Sequence, residues 1–306
     1  MPDTARLPRG ATTRFAPAPT GYLHLGHVAN AIYVWGIARA VGGAVLLRVE
    51  DHDRGRCRPE YEAALLEEME WLGFSADRPV LDQLRGGASP YRQSDSGAVY
   101  EAALAELQDR GLVYACDCTR STFARWAADH GQPWRGPSCP GGCRDRRVPE
   151  GARIGLRVAL GDGTEAFDDL LAGSHVGQPS ADGDLLAHDR DGNWTYVFTV
   201  VVDDLRHGID LVIRGRDLLA DTPRQIRLGR LLGRVDPPTF LHHPLVIRPD
   251  GRKLSKADSD TAIRELRADG MSADEAIGRA AAAVGLSDGA SPISAEDVAR
   301  LFASRR

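Results

Sequence analysis

Lysine is nearly missing from this 306-residue chain: Lys253 and Lys256 are the only two among 38 basic side chains, and the rest are arginine. No stretch approaches eighteen consecutive apolar residues, so no membrane-spanning helix is expected. The first ten residues carry no apolar core, which argues against a secretory leader and for a cytoplasmic protein. Neither sign of charge dominates. A net charge of −5 weighs against nucleic-acid binding driven by global charge and leaves room for a local basic face. The 33 glycines follow no three-residue period, which excludes a collagen-like repeat. Cysteine is scarce, and an odd count of five without a leader argues against a disulfide framework. What is present, 42% hydrophobic and 26% charged residues, is the balance of a folded globular chain rather than a disordered one.

The first 80 residues alternate between strand and helix patterns. Thr12–Ala16 reads as a short strand, and Pro17–Gly21 as a turn. Residues 26–41 read as a helix, with Val28, Ala31, Ile32, Trp35 and Ala38 at helical spacing and Gly42-Gly43 as its stop. Ala44–Val49 is a continuous apolar run that suits a strand buried on both faces, and Pro59–Leu72 a helix ended by Gly73. This βαβ order predicts a doubly wound parallel α/β sheet of Rossmann type. A further helix is expected over 94–110, capped by Ser94 or Asp95. Residues 196–202 fit a buried strand or a buried helix equally. Ile209–Ile213 reads as a strand and Thr222–Leu232 as a helix capped by Thr222 or Asp221. The expected division is a catalytic half over 1–111, a metal-bearing acceptor-binding insertion over 112–205, a second catalytic half over 206–257 and a helical tail over 258–306.

Two constellations carry chemistry. His24-Leu25-Gly26-His27 opens a helix directly after the first strand, where such a sheet binds phosphates. Imidazoles there donate to phosphate, and glycine admits the nucleotide close to the backbone. A helix start that happens to hold two histidines is the plain alternative. Lys253-Leu254-Ser255-Lys256 follows Pro249-Asp250-Gly251 and holds both lysines, suited to charge developing on transferring phosphates. Alone it would pass for a solvated loop; paired with the first motif it is specific. A third cluster, Cys116-x-Cys118 and Cys139-x3-Cys143, offers two close thiol pairs suited to a tetrahedral structural zinc, with four unbound cysteines as the alternative. Cys57 reads as a buried apolar residue.

HLGH and KLSK resemble the two ATP-binding signatures of class I aminoacyl-tRNA synthetases. Arg14 to His27, Leu47 to Asp53, Val200 to Asp204, Val212 to Leu219 and Thr222-Pro223-Arg224-Gln225 resemble the glutamyl and glutaminyl branch. Only residues 257–306 follow the second signature, whereas full glutamyl-tRNA synthetases carry a large anticodon-binding region there. The chain thus resembles the short paralogues, the glutamyl-Q tRNA(Asp) synthetase family. That resemblance implies activation of L-glutamate by ATP with Mg2+, and transfer to the queuosine base in the anticodon of tRNA(Asp). It implies His24, His27 and Lys256 as catalytic residues, with Gly26, Lys253 and Ser255 beside them at ATP. It implies Arg14, Phe15, Ala16, Pro17, Ala18, Glu50, Tyr196 and Arg214 around glutamate. Arginine supplies a fork for a carboxylate, and Glu50, at the carboxyl edge of the sheet, suits an α-ammonium; an ordinary ion pair is the alternative for Arg14 and Glu50.

The family ligates zinc with a Cys-x-Cys, a tyrosine and a cysteine. Here Cys139 stands where that tyrosine often is, giving a set of four thiols. Two departures bear on the pocket: Ala18 replaces the usual serine, and Val197 the usual asparagine after the pocket tyrosine. Arg135, Arg144, Arg146, Arg147 and Arg153, with Trp126 and Trp134 nearby, form a basic stretch suited to RNA, or a solvated loop. The chain is expected to act as a monomer away from membranes. The competing readings are a truncated glutamyl-tRNA synthetase charging a 3′ end, a glutamate-adenylating ligase acting on a small molecule, and an adenylate-binding regulator without catalysis.

Overall fold

The computed structural model describes residues 7–131, 139, 142–149, 151, 153–247 and 261–303. In chain order these form β1 (Thr12–Phe15), α1 (Leu25–Ala40), β2 (Ala44–Leu47), α2 (Pro59–Leu72), α3 (Leu81–Arg85) and α4 (Gly97–Asp109). Next come β3 (Val113–Cys116), α5 (Arg120–His130), α6 (Cys143–Arg146), β4 (Gly155–Val158), β5 (Glu165–Asp169), β6 (Gly173–Gly177) and β7 (Leu185–His188). The remainder is α7 (Tyr196–Arg206), β8 (Leu211–Gly215), α8 (Thr222–Leu231), β9 (Thr239–His243), α9 (Ile263–Ala268) and α10 (Ala273–Ala283), closed by a 3-10 turn over Asp297–Phe302.

Two demands set this architecture: short apolar strands must bury both faces, and the helices between them must cover those faces. Val45, Leu47, Leu211, Ile213 and Leu241 point into one core with α1, while Leu46, Val212 and Phe240 point into another with Ile226 of α8. The period of two across both cores is the mark of a doubly wound sheet. β1 and β2 pair in parallel, as do β8 and β9, and β9 also meets β5 in parallel at Asp169–Phe240. β1 and β8 lie side by side: the Asp210 N–H donates to the Thr12 carbonyl at 3.2 Å, and the Thr12 N–H donates to the Asp210 carboxylate at 2.7 Å. The strand order therefore reverses between β1 and β8, and ligands of such sheets bind beyond the carboxyl ends of the strands at that reversal.

The segment 112–205 is not one unit. β3, β4 and β7 form an antiparallel sheet that packs with α4 and α7. The β5–β6 hairpin instead joins the main sheet through β9. Residues 196–202 resolve as the start of helix α7, whose Phe198, Val201 and Val202 are buried against the antiparallel sheet and α8. Several boundaries move for local reasons. β1 stops at Phe15 because Pro17 and Pro19 lack ladder donors. α4 starts at Gly97, after a 3-10 turn over Gln93–Asp95, and neither Ser94 nor Asp95 caps it. Ser94 donates its N–H to Asp51, and Asp95 accepts from Ser89 and Arg92. A 3-10 turn over Arg216–Asp221 runs straight into α8, so Asp221 and Thr222 make no cap, while Pro223 keeps its place in the first turn. Cys57 is half-buried, its thiol 3.9 Å from the Glu50 carbonyl. Among the described residues no helix is long and apolar enough to cross a membrane.

The tail is pinned to α1. A β-carbon at Gly36 would lie 2.3 Å from the Phe302 ring, so the absence of a side chain there is what admits the ring. Phe302→Ala should lower unfolding free energy by about 3–5 kcal/mol, the usual range for a buried phenylalanine. Gly36→Ala should cost about 1–3 kcal/mol through overpacking, and markedly less in the Phe302→Ala background. Urea denaturation of the four proteins of this cycle checks the coupling; strict additivity would contradict it.

Candidate active site

A cleft of about 660 Å3 opens at the strand reversal, lined by Arg14 to Ala18, His27, Asn30, Glu50, His52, Tyr196 and Arg214 among others. A second hollow of about 290 Å3 shares His27, Asn30 and Gly215 with it and adds His24, Gly26 and His243. Every residue expected around glutamate thus lines one cleft, and His24, Gly26 and His27 line the adjoining one. Lys253, Ser255 and Lys256 lie outside the described residues, as do Trp134 and Arg135. Of the two departures, Ala18 lines the cleft, whereas Val197 packs against the apolar cluster around Phe198.

The HLGH geometry fixes its own tautomers. His24 is the N-cap of α1: its Nδ1 accepts from the Gly26 N–H at 3.1 Å. His27 reciprocates, its Nδ1 accepting from the His24 N–H at 3.1 Å. An accepting Nδ1 carries a lone pair, so each neutral ring bears its proton on Nε2. Both imidazoles are donors on that side, at the positive end of a sixteen-residue helix. Gly26 is required by the cap itself, since a β-carbon there would fall 2.8 Å from the His24 ring.

Beneath the cleft lies a buried charge network that no sequence pattern announced. Arg48 is fully buried just past β2. It donates to Asp204 at 2.8 Å and Glu50 at 2.9 Å, and stands 3.6 Å from Asp203. Burial opposes its charge, yet Asp204, Glu50 and Asp203 together raise its pKa. Burial likewise works to raise the Asp204 carboxyl, but Arg14 and Arg48 overcome it and hold it below the usual carboxylate value. Asp203 accepts from Gln93, Tyr100 and Arg206. Arg14 and Glu50 do not pair with each other. Arg14 bonds Asp204 through Nε and the Ile213 carbonyl through Nη1. Glu50 takes Arg48 on Oε1, and no described residue donates to its Oε2.

Arg214 stands apart from this network. It lines the same cleft and is buried, but no carboxylate of the described residues lies within ion-pair distance of it. Its contacts are neutral: His242 Nε2 at 2.8 Å, Gln225 Oε1 at 2.5 Å, Thr222 Oγ1 at 2.8 Å and the Leu218 carbonyl at 3.3 Å. Burial lowers its pKa, with the Tyr196 hydroxyl also bonded to it. A guanidinium stays charged under all these conditions. The arrangement is a desolvated cation held in shape and left, among the described residues, without a counter-ion, which favours an anionic ligand.

The four clustered cysteines come together at the end of β3. Their sulfurs all lie within 4.8 Å of one another, with Cys118 at 3.7 Å from Cys139 and 3.3 Å from Cys143. Tetrahedral Zn–S bonds of about 2.3 Å demand S···S separations of about 3.8 Å, so the set fits such an ion. No disulfide links them. A bond from Cys139, with Arg157 beside it, holds Cys116 down to about 4, while burial and its neighbouring thiols push Cys118 up to about 12. One charge is tolerated and the next is refused; a dication removes that conflict. Arg146 donates to Cys143 and to Asp117.

Arg48→Met would strand three carboxylates below the cleft. The variant should lose about 3–5 kcal/mol at pH 7, the scale for breaking a buried pair from one side. Asp204 is depressed in the folded state, so the stability it contributes is present above the ordinary carboxylate range and lost as pH falls through its folded value. The gap between variant and parent should therefore narrow toward acid pH. Urea titrations from about pH 7 down to about pH 2.5, through and below the ordinary carboxylate range, measure it, and a constant gap would contradict the network.

Residues 11–303 match the family described as tRNA synthetases class I (E and Q), catalytic domain. A glutamyl-Q tRNA(Asp) synthetase of Symbiobacterium thermophilum is 41% identical over 297 residues, spanning 94% of this chain and 91% of that protein. One from Nitratidesulfovibrio vulgaris is 39% identical over 281 residues, covering 89% and 86%. The glutamate–tRNA ligase 1 of Alkalilimnicola ehrlichii is 39% identical over 84% of this chain, which spans only 53% of that longer protein. A crystal structure of a glutamate tRNA ligase from Elizabethkingia meningosepticum with its amino acid superposes with a TM-score of 0.78 at 25% identity, over 95% of this chain and 64% of that one. With the HLGH helix start, the strand-reversal cleft and the doubly wound sheet all present, the chain belongs to the class I tRNA synthetases of the E and Q catalytic-domain family, and is an aminoacyl-tRNA synthetase-like ligase.

Proposed function

We propose that this enzyme activates L-glutamate with ATP and transfers the glutamyl group to the queuosine base of tRNA(Asp). The observation that carries the substrate assignment is Arg214, a buried cation at the cleft with no carboxylate partner among the described residues. What supports the acceptor assignment is likeness to relatives named glutamyl-Q tRNA(Asp) synthetase, matched at 39–41% identity along 86–91% of their length; the chain spans about half of the relatives named glutamate–tRNA ligase.

In this reading Arg214 and Tyr196 receive the side-chain carboxylate and Glu50 the α-ammonium, with Arg14 and the Phe15–Ala18 backbone forming the wall. The α-carboxylate oxygen attacks the α-phosphorus of ATP, and the bond to the leaving pyrophosphate breaks. His24 and His27 donate through Nε2 to the phosphates; the KLSK motif supplies Lys253, Ser255 and Lys256 to the same charge. Mg2+, when bound with ATP, neutralises phosphate charge. A nucleoside hydroxyl then attacks the carbonyl carbon of the anhydride, AMP leaves, and the hydroxyl proton passes to solvent. No protein nucleophile is needed, so the protein's contribution is position and electrostatics. Cys116, Cys118, Cys139 and Cys143 hold a structural Zn2+: with four thiolates no open position is left for chemistry.

Transfer of labelled glutamate to tRNA(Asp) with queuosine, tRNA(Asp) without it and tRNA(Glu) tests the acceptor. Label is expected on the first alone. Label on tRNA(Glu) would make the enzyme a minimal glutamyl-tRNA synthetase, and glutamate-dependent ATP–pyrophosphate exchange without any acylation would point to a small-molecule acceptor. Metal analysis of freshly purified, reduced protein should find one zinc per chain, lost together with part of the thermal stability in Cys143→Ser. A metal-free parent protein would remove the four-cysteine zinc site.

A further inference from the structure

Arg214 is oriented by a chain of two residues that lie outside every motif read in the sequence. Asp169, the last residue of β5, is fully buried at the point where β5 meets β9. Its Oδ1 accepts from the N–H groups of Leu171 at 2.9 Å and Ala172 at 2.7 Å. Its Oδ2 accepts from the His242 backbone N–H at 3.0 Å and lies 2.6 Å from His242 Nδ1. Four N–H donors suit an ionised carboxylate, and although burial opposes the charge, His242 and these amides keep Asp169 below its usual value. His242, on β9 and wholly buried, then meets Arg214 on its other side: Nε2 accepts the Arg214 Nε–H at 2.8 Å. Arginine can only donate, so Nε2 must carry the lone pair and Nδ1 the proton. Burial lowers the His242 pKa, consistent with a neutral ring.

We propose that Asp169 and His242 are positioning residues that aim Arg214 at the side-chain carboxylate of the substrate while leaving its charge uncancelled. The proposal rests on the reading of Arg214 as a glutamate ligand. A carboxylate placed directly on Arg214 would fix the guanidinium but neutralise it, as Asp204 does for Arg14. An imidazole between them passes on the orientation and holds the anion one ring-width away. Asp169 sets the tautomer; the tautomer presents an acceptor; the acceptor locks Nε and hence the plane of the fork. Gln225 and Thr222 hold the same plane from the other nitrogens. The geometry assigns His242 a function through Nε2, distinct from the fold-keeping bond it makes through Nδ1.

Two substitutions separate those bonds. In His242→Asn the amide reaches where Nδ1 was, keeping the contact with Asp169 and losing the acceptor for Arg214. In His242→Gln the side-chain oxygen reaches where Nε2 was, keeping the acceptor and losing the contact with Asp169. Asp169→Asn presents an amide donor to Nδ1, which moves the ring proton to Nε2 and sets donor against donor at Arg214. Glutamate-dependent ATP–pyrophosphate exchange, with KM for glutamate and for ATP measured separately, reads the outcome. His242→Asn and Asp169→Asn should raise KM for glutamate by about ten- to a hundredfold, the scale of a lost hydrogen bond to a charged group. KM for ATP should stay within about twofold, and His242→Gln should be the milder of the two histidine variants. A purely structural role predicts the reverse order, with asparagine the better substitute, or a parallel rise in KM for ATP; either result overturns the proposal. Arg214→Ala is the reference: an unchanged KM for glutamate there would remove the ligand reading itself, whereas a large rise there with none in His242→Asn would remove the positioning chain alone.

Discussion

The site depends on burying one guanidinium among three carboxylates. Arg48 leaves β2 just beyond its last ladder residue, where the chain is still sandwiched between the sheet and α7. No water reaches it, so its desolvation is tolerable only because Glu50, Asp203 and Asp204 converge on it. That convergence fixes much else. Asp204 is shared with Arg14 of β1, and Asp203 gathers Gln93, Tyr100 of α4 and Arg206. Two strands and two helices are thereby tied at one point directly beneath the cleft. The floor of the cleft has little freedom to deform, which is what a site that works by position requires.

Within that rigid floor the arginines are used in opposite ways. Arg14 and Arg48 are balanced by carboxylates and serve as structure, presenting Glu50 and the β1 edge at fixed places. Among the described residues Arg214 bonds only neutral acceptors and a polarised imidazole, so its field extends into the cleft. The expectation that Arg14 and Arg214 serve the ligand equally therefore needs dividing: Arg14 is largely committed to Asp204 and the Ile213 carbonyl, whereas Arg214 keeps its charge for something else. A pocket built around an uncancelled cation also favours a carboxylate over its neutral amide, because the amide leaves the buried charge unanswered.

How much of this was legible in the sequence follows the range of the interactions concerned. Local patterns carried the βαβ order, the helix start at HLGH and the pairing of cysteines, because each is set by neighbours a few residues away. The cleft-lining set around Arg14, Glu50, Tyr196 and Arg214 came through resemblance, since no local rule brings residues from four distant segments together. Arg48 stood within a quoted block without a role, because its partner Asp204 lies 156 residues on, and only tertiary packing buries it. Asp169 and His242 carried no signal, each being an ordinary residue at a strand end. The run 196–202 was ambiguous for a different reason: it holds Thr199 as its single non-aromatic polar residue, too short a pattern to separate period 3.6 from a buried strand. The caps expected at Ser94 and Asp221 failed because 3-10 turns feed directly into α4 and α8. At the first of them the polar groups of Ser94 and Asp95 are drawn into longer-range contacts.

The cleft and the cysteine cluster obey one electrostatic rule with opposite signs. At the cleft, folding desolvates Arg214 and, among the described residues, sets no carboxylate within ion-pair distance of it. At the end of β3, folding crowds four thiols, with Arg157 beside Cys116 and Arg146 donating to Cys143, and burial with the neighbouring thiols resists a second ionisation. Each arrangement costs stability in isolation, because an unbalanced buried charge, or a set of ligands unable to ionise, is worse than an apolar patch of the same size. In the proposed function each is answered by a ligand of the missing charge: an amino-acid carboxylate at Arg214, a soft dication at the thiols. Under the proposed function, substrate and structural metal would be selected by the same device, a charge deficit that the rest of the fold is rigid enough to hold open.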